Sequence, residues 1–337
     1  ECGRSLTLLG ANADSNSLEG AHAVTYDAGA QMALVASASA DSLTIVDLAD
    51  ATRPTLVGVL VDTSSLDGAR GVAFDPARKL AFVASEAADS LSVISVAKLA
   101  APQLVGSLVD HSMLDGASGV VYDASTETVF VVSSGAGSVS VIDVSDPSAP
   151  SLKGVLSGLD TLAGAVGIAF DATSQVVLVV SERADSLSVI DVSVLQKPTL
   201  VGSVSDGVAL NGAVGVSYDP SSQLAFVVGA AADTLAVVDV SDGARPFLVG
   251  TLRGPSLAGA SSVAYDASTQ RVLVSSADAD SLAVVDVSDP ADPVLVGVLT
   301  DGVSLAGAAG VVYDATTRRA IVVSERADSL AVVCVPS

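Results

Sequence analysis

One unit of about 48 residues is written seven times along this chain, and that repeat constrains the fold more than any other feature. The copies open at Leu18, Leu66, Leu114, Leu162, Leu210, Leu257 and Leu305, 47 or 48 residues apart. Each begins Leu-x-Gly-Ala, then runs through an aromatic-Asp pair, an apolar stretch, an Ala-Asp-Ser-Leu phrase and a Val-Ile-Asp-Val-like phrase. A period in this range marks a propeller, a solenoid or an array, because one such unit cannot bury its apolar face alone.

The second copy reads as four strands. Gly71–Phe74 is a short apolar segment closed by Asp75-Pro76, and Leu80–Ser85 is an unbroken apolar run. A run of that length between turn residues suits a strand covered on both faces. Ser90–Ile94 alternates, and Leu104–Leu108 follows Pro102. Proline precedes the fourth strand in six copies, at Pro54, Pro102, Pro150, Pro198, Pro246 and Pro293. It cannot donate to a ladder, so this strand belongs at the outer edge. Four short antiparallel strands per unit make one propeller blade. The expected fold is therefore all-β, a seven-bladed β-propeller forming a single domain over residues 1–337.

The last copy, from Leu305 to Ser337, lacks its fourth strand. Thr7-Leu8-Leu9-Gly10 matches Val294-Leu295-Val296-Gly297, so residues 1–17 are expected to complete the last blade and close the ring. Cys334 and Cys2 then fall near the same turn, which predicts a disulfide. The loop-entropy account assigns about 5–6 kcal/mol to a cross-link of that span. A disulfide implies an oxidising compartment.

Composition narrows the function classes. The net charge is −23 and only four lysines are present, which argues against nucleic acid, whose phosphates need a basic face. No apolar run approaches the ~20 residues that span a bilayer, so membrane insertion is not expected. Glu1 opens without a leader pattern, as expected of a secreted chain already processed. His22 and His111 are the only histidines, which excludes a multi-histidine metal site.

The phrases Val141-Ile142-Asp143-Val144-Ser145-Asp146-Pro147 and Val285-Asp286-Val287-Ser288-Asp289-Pro290, each followed by a proline and a Leu-x-Gly strand, resemble the LVIVD-repeat propellers. The chain is also similar to surface-layer and YVTN-type propellers. The resemblance implies an extracellular or cell-surface location and carries over no catalytic residues.

Function is sought where the copies differ. The residue before the first strand is His22, Arg70, Ser118, Val166, Val214, Ser261 or Ala309 in turn. His22 and Arg70, on adjacent blades, are expected to form a cationic spot able to hold a carboxylate or phosphate; the plainer reading leaves both in solvent. The turn after the second strand carries Glu86, Glu182-Arg183, Asp278 and Glu325-Arg326, within the identical segments Ser181–Leu187 and Ser324–Leu330. These charges are candidates for partner recognition, against local ion pairs of under about 1 kcal/mol. Asp41, Asp89, Asp185, Asp233, Asp280 and Asp328 form a series broken by Gly137. Ca2+ is the one candidate cofactor there, against a purely structural role in tight turns. The leading expectation is a non-catalytic extracellular or cell-surface binding scaffold that engages a protein or extracellular polymer. A divalent-cation-dependent hydrolase or lyase at the channel mouth and a calcium-linked adhesion protein are the alternatives.

Overall fold

The computed structural model describes residue 3 and residues 5–336. Seven four-stranded antiparallel sheets are arranged as the blades of a propeller. In the first blade the strands run from the channel outward as Ala21–Asp27, Met32–Ser37, Ser42–Asp47 and Thr55–Val61. The outer strand starts directly after Pro54, at the edge where a missing N–H costs no ladder bond. The seventh blade is closed as expected. Thr7–Ala13 pairs antiparallel with Ser329–Cys334, outside Arg319–Ser324 and Ala308–Asp314. Among the described residues no helix is long and apolar enough to cross a membrane.

The core lies between the blades. Seven apolar clusters alternate with the sheets, each built from two neighbours. Leu18, Ala33 and Val35 of the first blade meet Ile321, Val323 and Leu330 of the seventh. Second-strand phenylalanines stack on the aromatic of the next blade, as Phe82 does on Tyr122 at 4.7 Å between ring centres. This explains the continuous apolar second strand, which is sandwiched on both faces.

Two glycine positions set how closely blades approach. A Cβ on Gly71 would collide with the Ser118 carbonyl of the next innermost strand. Every outer strand also carries a bulge ahead of its glycine, such as Val57 before Gly58. A Cβ on Gly58 would strike the Leu99 carbonyl in the third-to-fourth-strand loop of the next blade. The recurring Leu-x-Gly phrase is thus a docking surface for the neighbouring blade.

Of the expected Cys2–Cys334 pair, Cys2 lies outside the described residues. Cys334 is buried at the end of its strand, opposite Thr7.

Candidate functional site

The innermost strands surround a central cavity of about 520 Å³ that opens on the face bearing the Leu-x-Gly-Ala loops. Three consecutive residues on each strand line it, and the outer two of each three form two rings. The deeper ring is Val24, Val72, Val120, Ile168, Val216, Val263 and Val311, an apolar floor. The ring above it is His22, Arg70, Ser118, Val166, Val214, Ser261 and Ala309, and Glu182 and Asp278 reach the cavity from their turns. His22, Arg70, Glu182 and Asp278, singled out by the sequence, therefore share one cavity.

The basic side chains of this rim already have carboxylates beside them. His22 Nδ1 lies 2.8 Å from Glu325 Oε1, across the seam between the seventh and first blades. Arg70 Nε lies 2.8 Å from Glu86 Oε2 in its own blade. His22 holds the Glu325 carboxyl below its usual range, reinforced by Arg70 and Arg326 and opposed by partial burial. The expected cationic spot is therefore occupied by the protein's own counter-ions. The missing signal was spatial: Glu325 is 303 residues from His22 in sequence and adjacent only once the ring closes.

Arg183 and Arg326 turn away from the cavity and act as clips between blades. Arg183 donates to the Ser134 carbonyl and Arg326 to the Ala277 carbonyl, each on the preceding blade. Arg326 also pairs with Asp280 at 2.6 Å and lies 3.6 Å from Asp278. The Glu182 side chain has no hydrogen bond or ion pair among the described residues.

The six-membered Asp series has a structural employment. Each residue sits at positive φ, for example 48° at Asp41, a conformation that Asp and Gly tolerate better than most residues. Its carboxylate accepts the amide of the next blade's Leu-x-Gly glycine: Asp41 from Gly68 at 3.0 Å, Asp280 from Gly307 at 2.9 Å. Gly137 keeps the φ, at 55°, but has no carboxylate, so this latch is missing at the seam with the fourth blade. Arg183 spans that same seam.

The opposite face carries a second ring that the sequence read only as turns. Asp27 Oδ1 does accept the amides of Gly29 and Ala30 in its own turn. The outer oxygen of such an Asp faces the next blade, where Tyr122 donates to Asp75 at 3.0 Å. Burial, then Asp75, pushes the Tyr122 hydroxyl up to about 12, and burial with Asp171 does the same to Tyr218. Where phenylalanine replaces tyrosine at Phe74, a residue from the following turn takes over: Lys79 bonds Asp27 at 3.0 Å. At Phe170 the corresponding Gln175 donates to the Ala172 carbonyl of its own turn.

Among the described residues no three His, Cys, Asp or Glu side chains converge as a metal-ion cage. The hydroxyls of Ser118 and Ser261 donate to backbone carbonyls, the latter to Ala308 at 2.6 Å.

The fold and channel define a seven-bladed β-propeller with a cavity at one mouth. By sequence, the Lactonase, 7-bladed beta-propeller family matches residues 5–216, and the chain belongs to that family. The LVIVD repeat matches residues 225–253 and 276–301. No curated protein matches the chain. Among solved structures, the chain is similar to the β-propeller domain of Cps50 (Swd1) from Myceliophteria thermophila, with TM-score 0.75, 10% identity and 98% and 100% of the two chains covered. It is also similar to a protein from Lactobacillus plantarum, with TM-score 0.72, 16% identity and 86% of each chain covered. A functionally unknown protein from Desulfotomaculum acetoxidans matches with TM-score 0.67, 13% identity and 83% and 85% coverage. At these identities the likeness is one of fold alone.

Proposed function

We propose that this chain is a non-catalytic binding propeller that takes its ligand at the mouth of the central channel, in a secreted or surface-attached setting. One observation carries the reading. The polar cavity side chains of the types that do chemistry are mostly committed elsewhere: His22 to Glu325, Arg70 to Glu86, and Ser118 and Ser261 to carbonyls. A nucleophile needs an adjacent base and an oriented partner, and neither serine has them. A concave site with an apolar floor and a few polar groups is a binding geometry. Equilibrium binding to the full chain, with cavity substitutions such as Val216→Trp, tests it. Ligands that bind this variant and the natural chain equally would place recognition elsewhere.

Family membership favours a second reading, a lactone-opening hydrolase. Turnover of a panel of aliphatic lactones, with and without added divalent cations, separates the two. Saturable hydrolysis that chelation abolishes would replace the binding proposal. We also propose that Cys2 and Cys334 pair, supporting the extracellular setting; thiol labelling before and after reduction reads this directly.

A further inference from the structure

We infer that the channel-mouth cavity takes a small aliphatic ammonium ion, with Glu182 as its counter-charge. The inference rests on the binding reading above and assigns its ligand class. The cavity is the site: about 520 Å³, floored by a ring of valines and one isoleucine, and wide enough for a short alkyl body.

The charges around it are unequally committed. On the side formed by the seventh, first and second blades, His22 and Arg70 each have a carboxylate at 2.8 Å. An incoming carboxylate or phosphate would meet His22 and Arg70 with a carboxylate already beside each, and that charge opposes it. On the far side stands Glu182, flanked in the ring by Val166 and Val214 and without a partner among the described residues. Asp278, the other lining carboxylate, has only Arg326 at 3.6 Å. The charge left for a ligand to answer is therefore negative. The chain as a whole carries −23, which enriches cations near the mouth and repels anions. An ammonium head on an apolar tail satisfies both features: the head neutralises Glu182 beside low-dielectric walls, and the tail covers the aliphatic ring.

Three probes with one alkyl chain test this: hexylammonium, hexanoate and hexan-1-ol, titrated into the full-length chain with isotope-labelled valine methyl groups. Hexylammonium is expected to shift the channel valines and to bind at least about ten-fold more tightly than hexanoate, with the margin shrinking in salt. Glu182→Gln, at an exposed position with no internal bond to lose, should erase most of that margin. Equal binding of hexanoate, or a margin unchanged in Glu182→Gln, overturns the ligand class. If hexan-1-ol or hexanoate shifts the channel valines without any preference for the ammonium, the cavity remains a binding site and only the class fails. If no probe moves them, both this inference and the channel-mouth reading fall.

Discussion

The segments Ser181–Leu187 and Ser324–Leu330 are identical in all seven residues, yet two of those residues do different things in the two places. Their Asp and Ser agree. Asp185 and Asp328 each accept a glycine amide from the next blade, at 2.9 and 3.1 Å, and Ser186 and Ser329 each donate to an entry-loop carbonyl. Their Glu and Arg diverge. Glu325 meets His22, whereas the Glu182 side chain lines the cavity with Val166 and Val214 and stays unpaired among the described residues. Arg326 adds Asp280 to its carbonyl contact, whereas Arg183 faces Gly137, where the corresponding carboxylate is missing. Residues that bond to backbone keep the role the repeat assigns them. Residues that reach a neighbour's side chain take their role from the neighbour.

The largest expected effect sharpens this on the outer strands. Gly58→Ala drives a methyl group into the Leu99 carbonyl and should cost about 3 kcal/mol in urea unfolding. Gly297→Ala occupies the same slot but, among the described residues, faces only the flexible Leu6 side chain, at 3.3 Å, and should cost under about 1 kcal/mol. Equal costs would mean the slot, not the neighbour, sets the penalty. Next comes Asp280→Ala, which removes both the Gly307 latch and the Arg326 partner. A loss of about 1.5–3 kcal/mol is expected, and one near zero would show the latch to be idle.

A smaller gain, about 0.5–1 kcal/mol, is expected from Gly137→Asp. It restores a carboxylate at a φ that six native aspartates already adopt and gives Arg183 the kind of partner Arg326 has. Destabilisation would show that the seam between the third and fourth blades is built differently from the others.

The pH effects are smallest. Glu325 has its folded pKa lowered below the ordinary 4.5, so its contribution is present above that value and lost as pH falls through the lower one. Glu325→Gln should flatten the acid limb of the stability curve relative to the natural chain. Tyr218 titrates the other way. Raised from 10.0 to about 12, it contributes fully below pH 10 and loses that contribution as pH rises through its folded value. Tyr218→Phe should therefore remove part of the alkaline destabilisation, and an unchanged alkaline limb would contradict the Tyr218–Asp171 contact.

The same distinction says what was legible in the sequence. Strand number, the outer position of the proline-led strand and the closure by Thr7–Ala13 follow from the repeat, because each is read from a local pattern that recurs from copy to copy. The residues gathered at the cavity were also legible, as departures from that pattern at His22, Arg70, Glu182 and Asp278. Their pairing was not. His22 lies beside Glu325, and nothing near His22 in sequence specifies that partner. The substitution of Lys79 for a missing tyrosine was hidden for the same reason, since the carboxylate it serves lies one blade back.

The closing strand has a consequence in time. Thr7–Ala13 is made early, but its partner Ser329–Cys334 follows more than 300 residues later. At roughly 5–20 residues per second, the first strand waits on the order of 15–60 s for the strand it must pair with. Until then the nascent ring can build six blades and still present two unsatisfied faces, so sealing comes last, and a ribosome-stalled or truncated chain would expose those faces to whatever is nearby.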